Sequence, residues 1–199
     1  MRPVPEEMAA KLEAAADSIG TSFDDVRIDE IAEASGIPRA TLYYYFHGKD
    51  EILGFLLRSA LTDLVAAATD AVHGPGDAAE RLRALIAAQL RHLRSRPGTS
   101  QLLIANLGKA GQLPEIAAQL DDGFHGPVRK LLREGIDDGS LRDVGDPEIV
   151  ASAFFGAVTA VGLRGIVVHG AVRVEEIMAS LTPLFWGGVA APEPRAEVP

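Results

Sequence analysis

Residues 27–49 read RIDEIAEASGIPRATLYYYFHGK, and this stretch decides the fold. Ile28, Ile31 and Ala32 mark a short helix stopped at Gly36, whose missing Cβ suits a left-handed turn. Pro38 opens a second short helix, because proline is tolerated in a first helical turn. Two helices of about two turns, joined by a three-to-four-residue turn with glycine, are the geometry of a helix-turn-helix. Ala32 lets the helices approach. Ile28, Ile31, Ile37, Leu42 and Phe46 supply a small shared core. Leu42 and Phe46 are four apart and face inward together, which leaves Arg39, Ala40, Tyr43, Tyr44 and His47 mostly on the opposite side. Three consecutive tyrosines cannot all be buried, since successive helical side chains diverge by about 100°. Exposed rings with hydroxyl tips suit phosphate oxygens and thymine methyls. Lys49 stands just before the next helix, where its ammonium and the free N–H groups can act on one phosphate. A purely structural hairpin, with the tyrosines packed on a neighbour, fits the same spacing.

Outward from this segment the chain reads as helix. Met8, Leu12, Ala15, Ala16 and Ile19 form one stripe, and Gly20-Thr21-Ser22 ends it. After Gly48 a long helix carries Ile52, Leu53, Leu56, Leu57, Leu61, Leu64 and Val72, and His73-Gly74-Pro75-Gly76 breaks it. Asp77 and Glu80 read as an N-cap pair for a helix with Leu82, Leu85, Ile86, Leu90 and Leu93, ending before Pro97. A short helix is expected around Thr99–Leu107, a loop over Gly108–Leu113, and a helix from Pro114 that kinks or breaks near Gly123, Gly126 and Pro127. Asp146-Pro147 caps a run through His169, and a last helix spans Val174–Trp186. The expected fold is all-α, with about nine helices and no period-2 alternation. The predicted domains are 4–64, with the helix-turn-helix at 27–46, then 65–186, and a mobile tail at 187–199.

Composition bounds the function. The 199 residues are 47% hydrophobic and 24% charged, enough for a sizeable core. There is no cysteine, which excludes disulfides, thiolate nucleophiles and zinc-thiolate sites and fits a reducing cytoplasm. The net charge of −9 argues against coating nucleic acid or anionic membrane but leaves room for a local DNA surface. The N-terminus lacks a signal-peptide h-region. The longest nearly apolar run, Ile149–Leu163, is fifteen residues where a bilayer needs about twenty, so it reads as a buried helix and no membrane partner is expected.

No enzyme is expected. The histidines His47, His73, His92, His125 and His169 are scattered, without H-x3-H or H-E-x-x-H spacing. Asp121-Asp122 and Asp137-Asp138 are neighbours that point apart on a helix. No metal or cofactor is called for. Gln89, His92, Gln101, Asn106 and His125 lie in or beside apolar helices, as the few polar groups of a pocket would, and as satisfied or surface side chains also do.

The stretch IAEASGIPRATLYYYFHGKDEIL, Ile31–Leu53, resembles the DNA-binding domain of the TetR family of transcriptional regulators. The resemblance covers about residues 4–64; downstream it is architectural. It implies a dimeric regulator, most often a repressor, of double-stranded operator DNA, released when a small-molecule effector binds the C-terminal helical domain. Thr41, Tyr43, Tyr44, Tyr45 and Lys49 match the family's DNA-contacting positions. Tyr44 stands at a variable, base-reading position, and Tyr45 where many members have histidine. Asp29 falls where many carry arginine, and Arg27 partly replaces it. Pro38 stands where a serine cap is common. With Arg27, Arg39, Ala40 and His47 these residues make the candidate DNA surface. Over Arg27–Lys49 three bases (Arg27, Arg39, Lys49) stand against three acids (Asp29, Glu30, Glu33), a net of zero with the acids off the reading face, so non-specific binding is expected to be weak. Dense small residues from Ala151 to Gly165, with Phe154, Phe155, Val158 and Val161, are expected to form with the last helix a four-helix homodimer interface; an intramolecular core helix fits the same pattern. The competing class is an all-α small-molecule-binding or interaction protein that does not touch DNA.

Overall fold

The stripe of Met8, Leu12, Ala15 and Ala16 is buried on α1 (Glu6–Ile19), the first helix of the computed structural model, which describes residues 3–19, 26–106, 114–143 and 145–189. The first-helix stop at Gly20–Ser22 and the 108–113 loop lie outside the described residues, as do the tail positions from 190 on. Helix α2 (Ile28–Ser35) and α3 (Arg39–Tyr45) meet at a turn with Gly36 at φ 64°, the left-handed geometry expected there. Ser35 is buried in that turn. Its hydroxyl donates to the Ile31 carbonyl at 2.6 Å and accepts from the Ile37 N–H at 3.3 Å, so the turn has its own plug. Pro38 is the N-cap of α3 and supplies no side-chain cap.

Helix α4 (Lys49–Val72) runs without interruption past residue 64 and carries core residues from Ile52 to Val72. The head and the rest of the chain therefore share one rod, and their buried side chains form one continuous core. Helix α5 (Ala78–Ser95) starts on a reciprocal cap: Glu80 N–H donates to Asp77 at 2.8 Å and Asp77 N–H to Glu80 at 3.2 Å. Helix α6 (Pro97–Asn106) begins at its proline, two residues earlier than the sequence suggests.

The expected kink has a specific form. Helix α7 (Pro114–Leu120) continues through a π-helical turn (Asp121–His125) into α8 (Gly126–Asp138). Pro127 has no N–H for the preceding turn and its ring crowds the carbonyl four residues back. The wider turn accommodates it: the Gly126 N–H reaches the Asp121 carbonyl, five residues away. Gly123 lets this turn lie on α4, where an added Cβ would stand 2.6 Å from the methyls of Val65. Counting α7, the turn and α8 as one rod, the described residues hold nine helical rods and no strand.

Helix α9 (Pro147–His169) is capped by Asp146, which accepts from the Glu148 N–H at 2.9 Å. Helix α10 (Val174–Val189) extends past Trp186, so Gly187 to Val189 are helical rather than part of a tail. By length and composition α4 and α9 are each apolar enough to cross a bilayer, but each is about half buried in the bundle, where α5 packs on both.

Candidate DNA-binding face and effector domain

Helix α3 is amphipathic in the way its spacing requires. Leu42 and Phe46 are each only 1% exposed and lock the helix onto the head, with Ile31 and Ile37 beside them. The opposite side stands in solvent: Tyr43 is 47% and Tyr44 59% exposed, with Arg39, Ala40 and His47 exposed around them. Thr41 is half-buried. Tyr45 turns partly inward against the core, its ring edge-on to Tyr44 at 5.0 Å. Lys49 is the half-buried first residue of α4.

The charged groups here are mostly paired. Arg27 stands at the N-cap of α2; its N–H donates to Glu30 at 3.1 Å and its Nε at 3.3 Å. These two bonds, the backbone one first, hold Glu30 below the usual carboxylate range. Glu51 is lowered in the same way, by the His47 N–H at 2.9 Å and then the His47 ring. Arg39 Nη1 lies 2.8 Å from Asp29 Oδ1, and its guanidinium carbon sits 5.5 Å from the centre of the Tyr43 ring. The Asp29–Arg39 pair spans ten positions and needs the turn geometry to be seen.

The head is tied to the remaining helices by a second cluster that sequence spacing does not reveal. Arg96, at the end of α5, donates from Nη1 to Glu13 of α1 at 2.6 Å and lies 3.0 Å from Asp63 of α4 through Nη2. Ser59 of α4 also donates to Glu13. His92 is buried one turn before Arg96, with its Nε2 unpartnered. Burial pushes its pKa down, opposed in part by Asp63.

Of the other polar candidates, Gln89 is a satisfied core residue. It donates to Thr159 at 2.7 Å and to the Phe155 carbonyl at 3.3 Å, tying α5 to α9. His125, in the π-helical turn, stands edge-on to Phe124 and Phe155 with its Nε2 buried and unpartnered; burial lowers its pKa too. Arg129 bridges Asp121 and Glu148, each at 2.8 Å, next to it. Gln101 is half-buried, and the Asn106 side chain lies outside the described residues.

The small-residue helix α9 divides differently from its sequence reading. Ala151, Gly162, Gly165, Phe154 and Val158 are buried within the chain's own bundle, so they cannot meet a partner. Gly162 faces Leu93 of α5. The outward face instead carries Ala153, Gly156, Ala160, Val161, Val167 and Val168, with Leu184 exposed on α10. A groove of 290 Å³ runs between α9 and α10, lined by Val161, Arg164, His169, Ile177 and Leu181 among others.

Two family models match this chain. Bacterial regulatory proteins of the tetR family match at residues 12–54, and the tetracyclin repressor-like C-terminal domain matches at residues 75–164. The chain is 31% identical over 143 residues to the HTH-type transcriptional regulator YdeS of Bacillus subtilis, across 68% of this chain and 67% of that protein. It is similar to the regulator PfmR of Thermus thermophilus, with a TM-score of 0.77 and 25% identity over 89% of this chain and 97% of PfmR. The structure of AibR in complex with isovaleryl coenzyme A and operator DNA shares the fold, with a TM-score of 0.73 and 23% identity over 90% and 97%.

Proposed function

The chain belongs to the tetR family of bacterial regulatory proteins and is a DNA-binding transcriptional regulator, and from that premise we propose a homodimeric repressor that a small-molecule effector releases from its operator. The observation that carries this reading is the outward face of α3, where two large tyrosines stand in solvent over a head whose core is already filled by Leu42 and Phe46. In this reading residues 4–64 bind DNA and the helices from residue 65 on bind effector and partner. Arg39, at the N-terminus of the recognition helix, and Tyr43 and Tyr44, toward its C-terminal end, enter the major groove. Thr41, Tyr45, His47, Arg27 and Lys49 bear on the backbone, and Ala40 leaves room for it. The aliphatic face of α9 and α10 meets its copy across a two-fold axis, setting two heads at one half-site each.

Release follows from linkage. An effector that favours separated heads must lose affinity on operator by the factor that operator loses affinity on effector. Helix α4 is the lever, since it belongs to both units, and the Arg96–Glu13 bond ties the head to the end of α5. The protein works in the cytoplasm, where its operator is, and needs no catalysis or cofactor.

The test is a mobility shift with the DNA upstream of the chain's own gene, followed by thermal-shift screening of metabolites. Isovaleryl coenzyme A, bound by AibR, is one probe in the set. A specific shift reversed by a stabilising ligand is the expected outcome. Stabilising ligands with no DNA shift would favour the all-α small-molecule carrier instead.

A further inference from the structure

Two neighbouring acids of the reading segment, Asp29 and Glu30, do different things. Glu30 serves the N-terminus of its own helix through Arg27. Asp29 reaches across the turn from the second residue of α2 to the first residue of α3, where its Oδ1 lies 2.8 Å from Arg39 Nη1. Both side chains remain more than half exposed, at 54% and 58%. An exposed pair of this kind adds little to stability. Its consequence is orientation. A guanidinium carries five N–H donors in a planar fork. Asp29 takes one donor of that fork, and the guanidinium carbon lies 5.5 Å from the centre of the Tyr43 ring. Held between that carboxylate and Tyr43, the guanidinium stays more than half exposed at the start of the recognition helix. Residues at that place are the ones a helix-turn-helix presents to base edges. The arginine fork matches guanine O6 and N7 there.

We propose that Asp29 is a positioning residue for DNA recognition: it holds Arg39 on Tyr43 as a reader of a guanine edge and withholds it from the phosphate backbone. This deepens the DNA-binding reading above and rests on it. Removing the carboxylate has two effects of opposite sign. Arg39 loses its fixed geometry, which weakens the base contact. It also becomes free to pair with any phosphate, which strengthens binding to every sequence.

The experiment uses the full chain with Asp29→Asn, titrated on operator and on a scrambled duplex over a series of salt concentrations. Binding to the scrambled duplex should tighten, with its salt slope steeper by about two units per dimer, one added phosphate contact per subunit. The operator-to-scrambled affinity ratio should fall about tenfold, the low end of what a bidentate base contact discriminates. Asp29→Glu should recover part of the ratio. In an Arg39→Ala background the ratio should not respond to Asp29→Asn at all. Equal tightening on both duplexes would reduce Asp29 to a plain repulsive charge and overturn the proposal. So would a ratio that still changes without Arg39. A wild-type protein that does not distinguish operator from scrambled DNA would defeat the DNA-binding reading itself, a different result from either. Circular dichroism checks the fold; should Asp29→Asn lose the first turn of α2, Arg39→Ala by itself decides: a lower operator-to-scrambled ratio with an unchanged salt slope on the scrambled duplex supports the proposal, and a shallower slope there, showing Arg39 already on phosphate, overturns it.

Discussion

Among the described residues two surfaces expose large apolar side chains, and they differ in chemistry. On α3 the exposed groups are Tyr43 and Tyr44, each with a hydroxyl tip and with an arginine alongside. On α9 and α10 they are Ile149, Val167, Val168 and Leu184, over half exposed and without a polar tip, with exposed glycine and alanine between them on α9. Clustered exposed apolar side chains are where a partner is expected. The tips say which kind. Aromatic rings that end in a hydroxyl can lie on base edges and bond phosphate, whereas aliphatic faces with small residues between them can only gain by excluding water against a similar face.

The largest expected effect comes from breaking the aliphatic surface. Val168→Glu with Leu184→Glu should convert the dimer to monomer in sedimentation at micromolar concentration. Operator affinity should then fall by about a hundredfold or more, because two linked heads bind far more tightly than one. A double variant that stays dimeric would move the interface elsewhere. Next comes Tyr44→Ala. If the ring packs on base edges, operator binding should weaken by roughly 1–3 kcal/mol per half-site with little loss on scrambled DNA. Equal losses on both duplexes would make Tyr44 a backbone contact, and a lost melting transition would make it core. Lys49→Ala should act more gently. Binding should weaken alike on all sequences, and the salt slope should drop by about two units per dimer.

The smallest effect lies in the interior between the two surfaces. Burial holds the pKa of His92 and of His125 below the ordinary value, which is about 6.5. As pH falls through that value the unfolded chain takes up protons that the folded chain refuses. Stability should therefore be full above about pH 6.5 and decline as the pH drops toward the lowered folded values. Urea denaturation at pH 7.5 and 5.5 should show the decline, and His92→Gln with His125→Gln should flatten it. The lowered carboxylates Asp121 and Glu30 act in a separate window, below about pH 4.5, where protonation removes their bonds to Arg129 and Arg27.

Much of this molecule is legible in the order of its residues, for reasons that are local. The faces of α1, α4 and α5 follow from apolar spacing, since helical period alone decides which side chains share a side. Caps at Asp77 and Asp146 and the turn at Gly36 follow from groups within a few residues of one another. The outward set on α3 follows from the same rule once Leu42 and Phe46 are placed inside. The length of α10 was less legible: Gly187 and Gly188 read as the end of the helix, yet the chain stays helical through Val189.

What only the tertiary structure decided involves partners far apart in the chain. Glu13 meets Arg96 from 83 positions away, and Gln89 meets Thr159 from 70. Neither residue type carries a sign of that pairing, because any carboxylate or amide at those helix positions could equally face water. The small residues of α9 make the same point: their density marks close approach, but the tertiary packing, and not composition, determines that Gly162 meets Leu93 of α5 and Gly165 the segment after α9, while Ala153, Gly156 and Ala160 remain outward for a second copy. A helical period fixes the angle between side chains on one rod, and the identity of what each side faces is set by how the rods are stacked.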